Sequence, residues 1–133
     1  MRPVMQATAL WKIYASGEST VQAVKGVDVD IKEGEMIAIM GPSGCGKTTL
    51  LNVLSGIDEP NSGEVLISGS PMYSVSDDQR TWMRAQNLGF IFQDFNLLPV
   101  LSAVENVELP LLLLGKSASE SRKSALEALD SVG

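Results

Sequence analysis

The sequence predicts an α/β fold, and three observations predict it. The apolar run Met36-Ile37-Ala38-Ile39-Met40 leads straight into Gly41-Pro42-Ser43-Gly44-Cys45-Gly46-Lys47-Thr48, apolar residues recur at helical spacing just after it, and alternating stretches precede it. A strand covered on both faces reads as continuously apolar, whereas a half-buried one alternates. The run at 36–40 is therefore assigned to the interior of a sheet.

In order, residues 8–14 and 21–31 flank a turn-like segment at 15–19, and Val27-Asp28-Val29-Asp30-Ile31 has the period of a half-buried strand. These two stretches are read as antiparallel strands. After a turn at 32–35 and the buried strand at 36–40, Leu50, Leu51, Val53 and Leu54 give helical spacing up to Gly56. The segment 58–63 supplies a turn before a strand at 64–67. Ser76 with Gln79 fits a capping box, in which each side chain satisfies the other's backbone N–H, and opens a helix to about Gln86. Trp82 and Met83 on that helix are expected in the core. Residues 88–92 read as another strand. Ser102 with Glu105 repeats the box for a helix towards Leu114, with a kink or break near Pro110, which lacks a donor, and a stop at Gly115. A last helix over 119–132 places Ala125, Leu126, Leu129 and Val132 on one face with nothing to pack against it, so the ending reads as abrupt.

The 133 residues are enough for one modest core, and no repeat, low-complexity tract or linker divides them, so one domain is expected over 1–133. With 16 acidic and 10 basic residues the net charge is -6, which repels a polyphosphate backbone and argues against nucleic acid as a partner. Cys45 is the one cysteine and histidine is absent, which excludes an intrachain disulfide and a Cys/His zinc site and suits a reducing cytosol. The apolar run at 109–114 is broken by Pro110 and falls far short of the ~20 residues a bilayer span needs. The first residues carry no apolar segment of the kind found in a secretory signal.

Gly-x4-Gly-Lys-Thr between a buried strand and a helix is the phosphate-binding loop of nucleotide-hydrolysing proteins. Gly41, Gly44 and Gly46 let the backbone turn tightly, so that the N–H groups from Ser43 to Thr48 and the positive end of the helix face a β-phosphate. Lys47 would bridge the β- and γ-phosphates, the Thr48 hydroxyl would take a place on Mg2+, and Thr49 would reach the α-phosphate. A glycine-rich turn that merely caps a helix leaves the Lys-Thr pair unexplained. Cys45 has two readings: a thiol made reactive by the helix N-terminus, or a small side chain carried by a backbone amide that binds.

Beyond the loop, the run from Gly41 through Thr49-Leu50-Leu51-Asn52, the turn Pro60-Asn61-Ser62-Gly63-Glu64-Val65, and Gly89-Phe90-Ile91-Phe92-Gln93-Asp94-Phe95-Asn96-Leu97-Leu98-Pro99 resemble ABC transporter ATP-binding subunits over nearly the whole chain. The stretch Leu101-Ser102-Ala103-Val104-Glu105-Asn106-Val107-Glu108-Leu109-Pro110-Leu111 is most similar to the branch serving lipoprotein release and macrolide-type export. The resemblance implies an α/β P-loop NTPase core with an N-terminal antiparallel β subdomain over about 1–92, and the Q-loop and start of a helical subdomain over about 93–133, together the N-terminal portion of an ABC ATPase domain. It implies that Tyr14 stacks on adenine and that Gln93 joins the Mg2+ and attacking-water site to the helical subdomain. For Tyr14 an ordinary core aromatic is the competing reading, and for Gln93 an ordinary surface loop. The apolar set Phe95, Leu97, Leu98, Pro99, Val100 and Leu101 would face the coupling helix of a membrane permease, or pack as a satellite core. A second ATP-binding subunit, as a homodimer closing on ATP, and a cytoplasmic place on the inner face of the membrane are further implications.

The resemblance also sets what is missing. No run of four apolar residues is followed by Asp-Glu, the Leu-Ser-Gly-Gly-Gln signature is absent, and there is no switch histidine. Either a truncated form of a longer ATPase or a natural short module that binds nucleotide without cleaving it fits this pattern, and the uncovered face of the last helix favours truncation. An Asn-Lys-x-Asp guanine reader is absent, which argues against a GTPase.

Overall fold

The computed structural model describes residues 2–133, which fall into two compact units divided between Arg84 and Ala85. The first unit is built on a sheet of four antiparallel strands in the order β2-β1-β3-β4. Strands β1 (Pro3–Ser16) and β2 (Ser19–Lys32) form the long hairpin expected from their alternation, turning at Gly17 with φ of 61°. Strand β3 (Ser62–Ile67) pairs with the other side of β1, and Ser68 and Gly69, both at positive φ as a tight two-residue hairpin demands, turn it into β4 (Ser70–Pro71).

The hairpin is irregular at Ala9, whose φ of 50° accompanies register shifts on both sides of the sheet. The Asp28 carboxylate accepts from the Ala9 N–H at 2.6 Å. A donor displaced from the ladder thus keeps a partner. A Cβ on Gly63 would meet the Ala9 carbonyl oxygen at 2.5 Å, so the glycine permits this close approach.

Helix α1 (Lys47–Leu54) buries Val53 and Leu54 in a core with Leu10, Val24, Val65 and Met72. Helix α2 (Asp77–Asn87) opens with the expected reciprocal bonds between Ser76 and Gln79. Trp82, expected in the core, is 48% exposed instead, and α2 buries none of its residues. Polar tethers take the place of apolar packing: Arg80 Nε donates to the Met72 carbonyl at 3.1 Å and Arg84 Nη1 to that of Gly56 at 2.6 Å.

The runs 36–40 and 88–92 form no ladder, contrary to the two strands expected. Met36 is 98% exposed and Ile91 fully so. A continuously apolar strand is stable only with sheet neighbours on its edges and cover on its faces. Among the described residues neither run has them.

In the second unit, α3 (Ala103–Leu113) and α4 (Ala118–Ser131) pack on each other. The Ser102–Glu105 capping box is present, and α3 runs continuously through Pro110 instead of breaking there. It ends at Gly115, φ 85°, with Gly115 N–H on the Leu112 carbonyl and Lys116 N–H on that of Leu111. This paired return of bonds is a Schellman cap, which uses up orphan carbonyls. The face of α4 expected to lack a neighbour is part covered: Ala125 is buried while Leu126 stays exposed. Arg122 grips the nearly buried Glu108 with two bonds, at 2.8 and 3.0 Å, which fixes the hairpin's register.

Candidate functional site

Gly41 to Gly46 arch over without regular structure, and α1 begins at Lys47. Gly46 serves as N-cap at φ 99°, and a Cβ there would collide with the Ala23 carbonyl of β2, so no other residue fits either the conformation or the space. No side chain caps α1, and its first N–H groups, which have no intrahelical acceptor, remain for a ligand. The Cys45 N–H is instead turned onto the Pro42 carbonyl at 3.2 Å. The cysteine itself is exposed.

Lys47 curls back on its own loop. Its Nζ donates to the carbonyls of Gly41 and Pro42 at 2.7 and 2.8 Å and lies 3.6 Å from Cys45 Sγ. Carbonyl oxygens hold the ammonium where phosphate oxygens would be the stronger acceptors, since a charge-assisted bond to an anion exceeds one to a neutral carbonyl.

A cavity of about 440 Å³ is lined by Ser43, Gly44, Cys45, Gly46, Lys47, Thr48 and Thr49 together with Tyr14, Val21, Gln22 and Ala23. The loop residues singled out in the sequence therefore share one space with the tyrosine that lies far upstream of them. Gly41 closes the loop through its carbonyl on Lys47. Tyr14 is 40% exposed and not packed into the core.

The surroundings of Tyr14 contain groups the sequence had shown only as a turn. Its hydroxyl donates to Asp58 Oδ2 at 2.7 Å, and Lys12 Nζ pairs with Asp58 Oδ1 at 3.0 Å while standing 5.2 Å from the centre of the tyrosine ring. The Tyr14 hydroxyl bond, with Lys12 beside it, holds the Asp58 carboxyl below its usual range against the opposing effect of part burial. Asn61 also joins the turn to β1, its Oδ1 accepting from Ile13 N–H at 2.6 Å.

Gln93 belongs to the second unit, where it is exposed in a turn ahead of Phe95 and Asn96, both at positive φ. The apolar residues beyond it are no satellite core: Phe95, Leu97, Leu98 and Val100 are all exposed, Val100 by 90%. Asn106 of α3 orders this loop, accepting from Leu98 N–H at 2.8 Å and donating to the carbonyls of Leu98, Leu101 and Ser102. No helix among the described residues is long and apolar enough to cross a membrane, and no three or more of their Cys, Asp and Glu side chains group so as to hold a metal ion.

These features agree with what the chain is similar to. An uncharacterised ABC transporter ATP-binding protein of Thermotoga maritima is 45% identical over 133 residues, 100% of this chain and 57% of that protein. The lipoprotein-releasing system ATP-binding protein LolD of Xanthomonas oryzae pv. oryzae is 45% identical over 98% of this chain and 53% of its own. Among solved structures, the dimeric ATP-binding cassette MJ0796 of Methanocaldococcus jannaschii, in a post-hydrolysis state with ADP and Pi, superposes with a TM-score of 0.88 at 45% identity over 95% of this chain and 56% of its own. The chain thus spans about half the length of the curated relatives it matches. The ABC transporter family matches residues 24–133, from β2 through the glycine loop to the last helix, and the chain belongs to that family.

Proposed function

We propose that this chain binds ATP in the ATP-binding subunit of a membrane exporter, and that the subunit couples ATP binding and hydrolysis to export. The observation that carries the reading is the single cavity shared by Tyr14 and residues 43–49, which offers a π-face for a base and a glycine loop for its phosphates. The similarity to a cassette holding ADP and Pi supports the nucleotide, and the similarity to a lipoprotein-releasing ATP-binding protein supports the transport role.

In this reading the N–H groups at the start of α1 donate to the phosphates, Lys47 would leave the Gly41 and Pro42 carbonyls to pair with the β- and γ-oxygens, and Thr49 would reach the α-phosphate. Gly41, Ser43, Gly44, Cys45 and Gly46 form the cradle. The Thr48 hydroxyl, which lines the cavity, would hold Mg2+, which would neutralise phosphate charge, and the Gln93 amide oxygen is a second candidate ligand for the ion. Phe95, Leu97, Leu98 and Val100 dock a permease at the inner membrane face, and a second ATP-binding subunit completes the working dimer.

Titration of the chain with Mg2+ and ATP tests the nucleotide: saturable binding, lost in Lys47→Ala and stronger than for GTP, is expected. A preference for GTP, or binding indifferent to Lys47, would sink the assignment. Within these 133 residues no apolar run leads to an Asp-Glu pair, which supports a second reading of the chain by itself, as a module that binds ATP and turns it over negligibly. Robust phosphate release that disappears in Lys47→Ala would overturn that second reading.

A further inference from the structure

We propose that Asp58 is a positioning residue for the base of the nucleotide: its carboxylate holds the Tyr14 hydroxyl at 2.7 Å, and Lys12 clamps both from one side. The inference rests on the ATP-binding reading above and adds to it the device that aims the stacking ring.

At 40% exposure Tyr14 is only part covered, and a ring already held in place stacks on a base at a smaller ordering cost. Lys12 Nζ stands over the ring at 5.2 Å, and it is itself tethered by Asp58 Oδ1 at 3.0 Å and the Glu59 carbonyl at 2.8 Å. A base stacking on the ring would take the face opposite Lys12. Asp58 is anchored in turn at both ends of its peptide: its N–H donates to the Asn52 carbonyl in α1 at 3.2 Å, and its carbonyl accepts from the Tyr73 hydroxyl at 2.8 Å. Helix α1 begins in the glycine loop, so one rigid element sets the positions of the phosphate cradle and of the tether for the base. The lowered pKa of the Asp58 carboxyl agrees with a tether that stays charged wherever the protein is folded near neutrality.

The experiment compares binding of Mg2+-ATP and of inorganic tripolyphosphate, which has phosphates and no base, to the unmodified chain and to Tyr14→Ala, Tyr14→Phe, Asp58→Ala and Asp58→Asn. Loss of ordered aromatic stacking corresponds to about fivefold in affinity. Tyr14→Phe and Asp58→Ala are each expected to weaken ATP by about that factor and to leave tripolyphosphate unchanged. Tyr14→Phe combined with Asp58→Ala should be no worse than either alone, because both remove the same bond. Asp58→Asn keeps an acceptor for the hydroxyl and should recover most of the loss. Tyr14→Phe removes one oxygen from an exposed ring, so it decides the matter should Asp58→Ala fail to fold. Weaker ATP binding in Tyr14→Ala with none in Tyr14→Phe or Asp58→Ala overturns the proposal and leaves the nucleotide reading intact. Equal losses for ATP and tripolyphosphate would reduce Asp58 to a structural role. An unaffected Tyr14→Ala beside an inactive Lys47→Ala would remove base stacking itself, and the proposal with it.

Discussion

Tyr73 shows how much a single hydroxyl organises in this fold. Its proton is shared between the carbonyls of Val53, at the end of α1, and Asp58, in the turn that carries the Tyr14 tether, while Arg80 covers the ring at 5.0 Å. Burial pushes the phenol up to about 12, with the Asp58 charge adding to that rise and Arg80 opposing it. The folded chain therefore holds this proton more tightly than the unfolded chain, whose phenol titrates near 10.0. The associated stability is fully present below pH 10 and is lost as pH rises towards 12. An absorbance titration of tyrosinate should show a late-ionising signal that vanishes in Tyr73→Phe, and that variant should lose about 1 kcal/mol of stability. The same late signal in Tyr73→Phe would contradict the burial argument.

At the level of elements, two positions in the helical unit make opposite predictions. Asn106 spends its whole amide on the loop before α3 and the first residue of its cap. Asn106→Ala should leave the Ser102 cap in place, cost about 2 kcal/mol as the freed carbonyls lose their donors, and raise the hydrogen-exchange rate of the Leu98 amide. Unchanged exchange at Leu98 would mean that the loop is ordered by something else. Ser121 on α4 goes the other way. Its Oγ is buried with no hydrogen-bond partner, beside the helix-favouring Ala125. Ser121→Ala removes an unsatisfied hydroxyl and adds the best helix former, so thermal unfolding should move up by the equivalent of about 1 kcal/mol. A lower melting temperature would show that the hydroxyl has a partner after all.

Across the molecule, the sequence was legible wherever the determining residues are close together along the chain. The glycine loop is one contiguous run, the capping boxes of α2 and α3 act over three residues, and the β1–β2 hairpin declares itself by alternation. The tether of Tyr14 was not legible, because its acceptor lies 44 residues away in a segment whose Pro, Asn and Gly mark only a turn. The runs 36–40 and 88–92 misled for a related reason: a continuous apolar pattern reports the cover a strand requires, and that cover comes from neighbours, which neither run has among the described residues. Uncovered apolar stretches then lie on a chain whose net charge of -6 makes copies repel one another. Salt screens that repulsion while leaving the apolar attraction, so self-association should grow with ionic strength, as read by light scattering. Met36→Glu with Ile91→Asp, at two positions that are almost wholly exposed, should suppress the association and change stability by no more than about 0.5 kcal/mol. Association that persists undiminished in this double variant would place the adhesive surface elsewhere on the chain.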